Sequence, residues 1–133
     1  MRIILMMFFI SSFFLLETVA QDKIWFDVNR YPIAREKAVY YTLFSGDTKK
    51  NQLVVDYYVS GKKAKQFYFF KGKREGKSIE FYTTGEVKTT GKFEDGFRGG
   101  MWKTYYKSGE IKEKGKYKKG KKVGVWKFFY KNN

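Results

Sequence analysis

Residues 105–128 read YYKSGEIKEKGKYKKGKKVGVWKF, and this stretch decides the fold because the chain contains it in three related copies. It matches residues 81–104 column by column when the two are superimposed, and it matches residues 57–80 in the same way. Three glycine columns and one tyrosine column recur every 24 residues, without an insertion or a deletion. They consist of Gly61, Gly85 and Gly109; Gly72, Gly96 and Gly120; Gly76, Gly100 and Gly124; and Tyr58, Tyr82, Tyr106 and Tyr130. Self-similarity at a fixed period of roughly 20–50 residues predicts a repeat architecture.

Each copy has the pattern of a β-hairpin. Glycines in the short connections at residues 83–86 and 94–100 indicate turns, since glycine readily adopts a positive φ. Between the turns the residues alternate by twos and are rich in aromatic and β-branched types, which is typical of strands. The sequence therefore predicts an all-β protein, an antiparallel β-meander with two strands per copy. The alternation places Trp102, Thr104 and Tyr106 on one face and Met101, Lys103 and Tyr105 on the other.

The register of the hairpins follows from residue size. If residues 108–109 form the turn, Tyr106 faces Ile111 and Trp102 faces Gly115, so that an indole covers bare backbone on the neighbouring strand. A bulge at the turn would shift this pairing. The same rule places two further pairs opposite each other, Gly91 with Trp102 and Gly115 with Trp126.

The first copy departs from this pattern at two positions. Phe67 stands in the glycine column, and Ser78 stands in the tryptophan column. Either the large and the small residue have exchanged strands, which conserves volume, or the first copy has drifted.

The consensus, aromatic-Tyr-x-x-Gly-x-x-Lys…Gly…Gly-x-Trp, resembles the MORN repeat in its 24-residue bacterial form, found in YwqK-type antitoxin-like proteins. The likeness covers residues 57–130, with a degenerate start near Val39, and the departures are Phe67 and Ser78. The resemblance implies a single-layer, twisted antiparallel sheet with a binding or scaffolding role and no catalysis.

Residues 1–20 have the layout of a secretory signal peptide. Arg2 supplies a positive charge, residues 3–16 are apolar apart from two serines, and residues 18–20 are small before Gln21. This run is shorter than the roughly 17–25 apolar residues of a spanning helix, and an uncleaved anchor is the alternative interpretation. We therefore expect an exported protein, periplasmic or secreted, that is cleaved near Ala20.

The remainder divides into a lead-in, residues 21–56, and the repeat array, residues 57–133. The lead-in is predicted to cap the array, with a helical turn at residues 34–38, strands at residues 39–44 and 52–58, and a turn at residues 45–51. The array comprises units 57–80, 81–104 and 105–128 and a partial unit, 129–133. Residues 128–131 are expected to form its edge strand.

The positive charge belongs to the array. The chain has a formal net charge of +15; the array carries +14, and the lead-in carries +1. Lysines alternate along the last hairpin, which predicts a basic surface on one face and on the adjoining turn. Its members are Lys112, Lys114, Lys116, Lys118 and Lys119, with Lys121 and Lys122 beyond.

The composition excludes several kinds of catalytic site. The chain contains no histidine and no cysteine, which removes Ser-His and Cys-His nucleophile systems and the usual zinc sites. The remaining carboxylate pairs, Glu94 with Asp95 and Glu110 with Glu113, lie among lysines that would neutralise them. We expect no enzyme activity, no metal, no cofactor and no small-molecule substrate.

Three functions remain open. The first is an exported module whose sheet holds a protein or another envelope component. The second is an electrostatic binder of anionic lipid or polysaccharide, although the lysines can also serve only to keep one face soluble. The third is toxin neutralisation, which rests on the resemblance alone and fits an exported protein poorly. Nucleic acid is not expected as a partner, because the chain carries an export signal and because lysine does not read bases bidentately.

Overall fold

Nine antiparallel strands form one open sheet in the computed structural model, which describes residues 22–43 and 52–131. Their order in the sheet follows their order in the chain, so β1 and β9 stand at the two edges. The predicted all-β meander is thus confirmed. The strands are β1 (Lys23–Phe26), β2 (Tyr40–Leu43), β3 (Gln52–Tyr58), β4 (Lys63–Phe70), β5 (Lys73–Phe81), β6 (Val87–Glu94), β7 (Phe97–Tyr105), β8 (Ile111–Lys118) and β9 (Lys121–Phe128).

The lead-in contributes the first strands of this sheet. The strands predicted at residues 39–44 and 52–58 correspond to β2 and β3, and the predicted helical turn is a 3-10 helix at Arg35–Lys37. β1 has no counterpart in the sequence pattern, because its four residues are too few to show an alternation. The predicted signal peptide and the predicted turn at residues 45–51 lie outside the described residues.

Two kinds of turn alternate along the meander. The tight turns consist of two residues with positive φ, as at Asp95 (52°) and Gly96 (86°). Such turns are of type I′, whose twist matches that of the flanking strands. Equivalent pairs occur one repeat earlier, at Lys71–Gly72, and one repeat later, at Lys119–Gly120.

The longer turns contain a bulge, and this corrects the predicted register. In the turn between β7 and β8, the Gly109 N–H donates to the Tyr106 carbonyl and the Tyr106 N–H donates to the Glu110 carbonyl, both at 2.9 Å. Gly109 has a φ of 90°, and the register shifts between Thr104 and Tyr105. Tyr105, not Tyr106, therefore faces Ile111, because the bulge adds one residue to one strand.

The tryptophans cover glycines as predicted. Trp102 faces Gly115 across the β7–β8 pair, and its ring lies over Gly91 on the other side. A Cβ added at Gly91 would come within 2.2 Å of the Trp102 ring, and one added at Gly115 within 2.3 Å of the Trp126 ring. Both glycines lie where the strand register shifts, between Thr90 and Lys92 and between Lys114 and Lys116.

The first copy preserves the same packing with the sizes exchanged. Phe67 on β4 stands directly opposite Ser78 on β5, and both side chains are buried. A large residue on one strand therefore meets a small one on the next, as it does at Gly91 and Trp102. This arrangement favours exchange with conservation of volume over drift.

The core is thin, as a single layer requires. Among the described residues, the buried apolar side chains are Ala64, Phe67, Phe93 and Trp102, and all four belong to β4, β6 or β7. Four polar side chains are buried with them: Thr42, Asp56, Ser78 and Thr89. Strands in the middle of the sheet thus bury more than those at its edges.

The last strand ends earlier than predicted. β9 stops at Phe128, after which the Phe129 N–H donates to the Lys112 carbonyl at 2.9 Å and the Tyr106 hydroxyl donates to the Phe129 carbonyl at 2.8 Å. Both backbone groups of Phe129 are therefore held from β8 and its turn, and Tyr130 is exposed. The edge strand is Lys121–Phe128, rather than residues 128–131.

Candidate functional site

One face of the sheet, here called the aromatic face, carries a row of rings formed by Phe93, Trp102, Tyr117 and Trp126. Neighbouring rings meet edge to face, with centroid separations of 5.4, 5.9 and 5.2 Å in that order. Edge-to-face pairs of this kind are stabilised by the ring quadrupoles as well as by burial. The row links four consecutive strands, β6 to β9.

Cations lie against the rings of this face, which also include Phe67. The Arg74 guanidinium is 4.5 Å from the Phe67 ring centroid, and that of Arg98 is 4.3 Å from the Trp102 centroid. The Lys122 ammonium is 4.0 Å from the centroid of the Trp126 ring. These three cations occupy the same column of successive repeats, which is a signal that the lysine-centred interpretation of the sequence missed.

Lys122, which the sequence places beyond the lysines of β8 and its turn, lies against the Trp126 ring on the aromatic face. It stands opposite Tyr117 in the β8–β9 register, and its Nζ lies 3.8 Å from a Glu113 carboxylate oxygen. The tight turn at Lys119–Gly120 fixes this register, which turns Lys122 toward the aromatic face. The other six predicted lysines lie on the opposite face of the sheet or at this turn.

Arg74 is a partly buried cation of the aromatic face. Burial lowers the pKa of its guanidinium, and repulsion from Arg30 adds to the effect. An arginine nonetheless remains protonated at neutral pH. The rings of Phe67 and Phe93 thus surround a partly desolvated positive charge, a setting in which a cation–π contact is strongest.

A buried carboxylate, Asp56, lies on β3, toward the β1 end of the sheet. Asp56 is 2% exposed and accepts hydrogen bonds from both terminal nitrogens of Arg30 and from the Thr42 hydroxyl, the latter at 2.5 Å. Arg30 lies in the segment after β1, so this ion pair joins that segment to β3. Its partners are far apart in sequence, and no spacing pattern predicts it.

The opposite face, here called the lysine face, carries a row of three lysines on adjacent strands. Lys103, Lys114 and Lys127 stand directly opposite one another on β7, β8 and β9. Among the described residues, none of the three lies within ion-pair distance of a carboxylate. Directly opposed like charges are unfavourable in a sheet, so charge repulsion within this row destabilises the folded state.

The other lysines of the predicted surface extend this row. Lys112 and Lys116 alternate with Lys114 along β8 and are exposed, and the Lys112 ammonium lies 5.8 Å from the Tyr106 ring centroid. Lys118, Lys119 and Lys121 are exposed at the tight turn, where Lys118 pairs with Lys121. The structure thus groups six of the seven predicted lysines around one end of the lysine face and its turn.

Apolar side chains lie among these lysines. Met101 faces Lys116, which in turn faces Val123, and a shallow groove between them also contacts Val125. Val125 is 81% exposed, and Met101 and Val123 are also exposed. The end of the lysine face therefore combines cationic and apolar surface.

The carboxylate pairs considered for catalysis are occupied by other contacts. Glu94 lies 2.6 Å from the Lys92 ammonium, and Asp95 lies 2.9 Å from that of Lys73. Glu110 accepts a hydrogen bond from the Ser108 hydroxyl at 3.0 Å. The described residues hold no cluster of acidic side chains arranged to bind a metal ion.

A search for related proteins adds no identity. No protein-family model, no curated protein and no solved structure matches this chain. Within the described residues, no helix has the length and apolar character needed to cross a membrane.

Proposed function

We propose that this chain is an exported, non-enzymatic repeat protein of the MORN-like type that acts as a protein-interaction or scaffolding module at the cell envelope. Support for a 24-residue unit comes from hydrogen bonds that recur at that interval. The hydroxyl groups of Tyr58, Tyr82 and Tyr106 each donate to the carbonyl 23 residues later, at 2.6–2.8 Å. Each unit thereby fastens the start of the next.

The observation that carries the interaction role is the apolar surface that a single layer leaves in water. Around β9, Val125 is 81% exposed and lines one shallow groove with Met101 and Val123, which are also exposed. Grouped apolar exposure of this kind marks interaction sites in soluble proteins. A partner that covers the end of the sheet would remove this surface from water.

Site-specific photo-crosslinking in the native host tests the role. A photoreactive residue at Val125 is expected to form an adduct with another protein, because that side chain lies on the exposed end of the sheet. The same residue at Tyr31, which is also exposed but lies at the opposite end, is the matched control. Equal labelling at both sites, or none at Val125, would contradict the proposal.

The export part of the proposal rests on residues 1–20 and has a separate test. Intact mass of the protein from its native host should show a chain that begins at Gln21. A full-length species retained in the membrane fraction would instead indicate an uncleaved anchor.

Binding of anionic lipid or polysaccharide is a second candidate, because the lysines of the Lys103–Lys114–Lys127 row have no acidic partner among the described residues. Binding to anionic vesicles or to an acidic polysaccharide should then weaken steeply with salt, since exposed charges are screened beyond about 10 Å at 0.1 M ionic strength. Vesicles of neutral lipid are the control. Binding that is insensitive to salt would contradict this candidate.

A further inference from the structure

The outer side of β9 is one of the two open edges of the sheet. Among the described residues only β8 pairs with β9, so the backbone groups on its other side are unpaired. An unpaired edge is a template for another strand. Its lysines discourage indiscriminate pairing but leave the edge accessible.

The interior of the sheet shows what a strand added here would meet. β7 and β9 occupy the same place in consecutive units, and β8 is the strand that follows β7. Opposite Gly100 on β7, β8 places Tyr117, whose ring packs against Trp102 at 5.9 Å. Opposite Lys103, β8 places Lys114. A strand added to β9 in the same register would place residues opposite Gly124 and Lys127.

On its outer side, Trp126 lacks, among the described residues, the ring contact that Trp102 makes with Tyr117 on the following strand. The Trp126 ring meets Tyr117 on its inner side only. The two indoles also differ in their hydrogen bonds, but the Trp102 acceptors lie on β6 and on β7 itself, so an added strand would not supply them.

Charge selects the kind of partner. β9 contains Lys121, Lys122 and Lys127 and no acidic residue. Antiparallel pairing of two β9 strands from two copies would therefore bring lysines together, which disfavours a symmetric dimer through this edge. An incoming strand with carboxylates would neutralise the lysines instead.

We propose that the outer edge of β9 binds an extended acidic segment of a partner protein, which adds to the sheet as a further antiparallel strand. A carboxylate of that segment stands opposite Lys127, and an aromatic residue three positions later stands opposite Gly124 and packs on Trp126. Main-chain hydrogen bonds supply affinity in such strand addition, and alternate side chains supply specificity. This inference rests on the proposed interaction role and names the surface and the partner that it requires.

A peptide derived from β8 is a direct probe. Replacing the four lysines of β8 by glutamate gives Ile-Glu-Glu-Glu-Gly-Glu-Tyr-Glu, which keeps the glycine and the tyrosine in register. We expect this peptide to bind the full chain and to slow amide hydrogen exchange in β9. A peptide of the same sequence that is N-methylated at alternate residues has the same charge but cannot form the ladder, and it should not bind.

Two charge reversals separate edge binding from binding to the lysine face. Lys127→Glu places a negative charge on the edge strand and should weaken the peptide by roughly tenfold or more, equal to about 1.4 kcal/mol. Lys103→Glu makes the same change in the same row but in the interior strand β7, and it should change affinity much less. If Lys127→Glu does not fold, Lys127→Gln with the same measurement replaces it.

Each other result overturns the inference. Equal losses from the two reversals, or equal binding of the N-methylated peptide, would mean that the peptide binds the lysine face as a polyanion. Self-association of the chain that the peptide competes away would mean that the edge binds a second copy. If the peptide does not bind but Val125 still crosslinks to another protein, the edge inference fails while the interaction role stands.

Discussion

Trp102 and Trp126 occupy the same place in consecutive hairpins, one repeat apart, but their surroundings differ. Trp102 lies on β7 between two strands, is 2% exposed and donates hydrogen bonds to two carbonyls. Trp126 lies on the edge strand, is partly exposed and has an Nε1 without a partner among the described residues. Similar local sequence therefore produces two different degrees of burial.

The difference shows where the stability of this sheet comes from. In a single layer, a side chain is buried by its neighbours on the strands before and after it, because no second layer covers it. Stability is then a sum of contributions from each strand pair and its neighbours, as it is in repeat proteins. Interior units should tolerate substitution least and the unit at β9 most.

The largest expected effect comes from truncating the interior indole. Trp102→Ala should lower the free energy of unfolding by about 3–5 kcal/mol, because it removes a buried side chain and leaves a cavity. Trp126→Ala should cost only about 1.5–3 kcal/mol, since its ring is partly in water already. Equilibrium urea denaturation of both variants measures the difference.

Lys103→Ala is the control for this pair, because it changes the adjacent residue on the opposite face. Its effect should be within about 0.5 kcal/mol, as for other surface substitutions. Equal losses for the two tryptophan variants would show that the edge position does not weaken the packing.

A smaller effect is expected at the glycines beneath the two rings. Gly91→Ala places a methyl group 2.2 Å from the Trp102 ring, and overpacking of this kind typically costs roughly 1–3 kcal/mol. Gly115→Ala creates the same overlap with Trp126, but the edge ring can move outward, so its cost should be smaller. Thermal unfolding of the two variants, measured side by side, tests the order; a reversed order would contradict it.

The sequence predicts the strands of the array well because its period places glycine wherever the chain must turn or pass beneath a ring. Gly91 and Gly115 are examples, because in the sequence each small residue falls opposite a large indole. The register at Tyr106 could not be predicted as well, because a bulge displaces the pairing by one residue without changing the pattern. The structure alone supplies that correction.

The site was predicted less completely than the fold. Most of the lysine face follows from alternation along β8, but Lys122 does not, since its side depends on the turn geometry at Lys119 and Gly120. The Arg30–Asp56 ion pair joins residues 26 positions apart and depends on how the segment after β1 folds back on β3. Such long-range contacts leave no periodic signal in a single sequence.

The tyrosine hydroxyl groups extend the comparison to single hydrogen bonds. Tyr58→Phe removes a partly buried bond to the Phe81 carbonyl and should cost roughly 0.5–1.5 kcal/mol, whereas Tyr106→Phe removes an exposed bond to the Phe129 carbonyl and should cost less. Chemical denaturation at neutral pH measures both losses.

The pH dependence of stability offers a second check on the hydrogen bond from Tyr58 to the Phe81 carbonyl. Burial, with Tyr40 and Glu80 adding repulsion, raises the pKa of Tyr58. Its contribution is therefore complete below the ordinary tyrosine pKa of about 10 and is lost as the pH rises through the higher folded-state value. The stabilities of wild type and Tyr58→Phe should converge across this alkaline range; parallel curves would contradict the assignment.

The smallest expected effect concerns the lysine row, where the interior position is the strained one. Lys114 faces Lys103 on one side and Lys127 on the other, whereas Lys127 on the edge faces Lys114 alone. Opposed like charges cost a few tenths of a kcal/mol each, by analogy with other cross-strand pairs worth roughly 0.2–1 kcal/mol. At low salt, Lys114→Gln should therefore raise stability more than Lys127→Gln.

Salt separates this repulsion from a second contact that the same substitution removes. The Lys114 ammonium lies 5.5 Å from the Phe129 ring centroid, and loss of that contact subtracts from the gain. Salt screens the repulsion between the lysine ammonium groups and leaves the ring contact largely in place. The difference in unfolding free energy between low and high salt should thus be about twice as large for Lys114→Gln as for Lys127→Gln. Equal salt dependence for the two variants would show that the lysines avoid one another in solution and that the row is not strained.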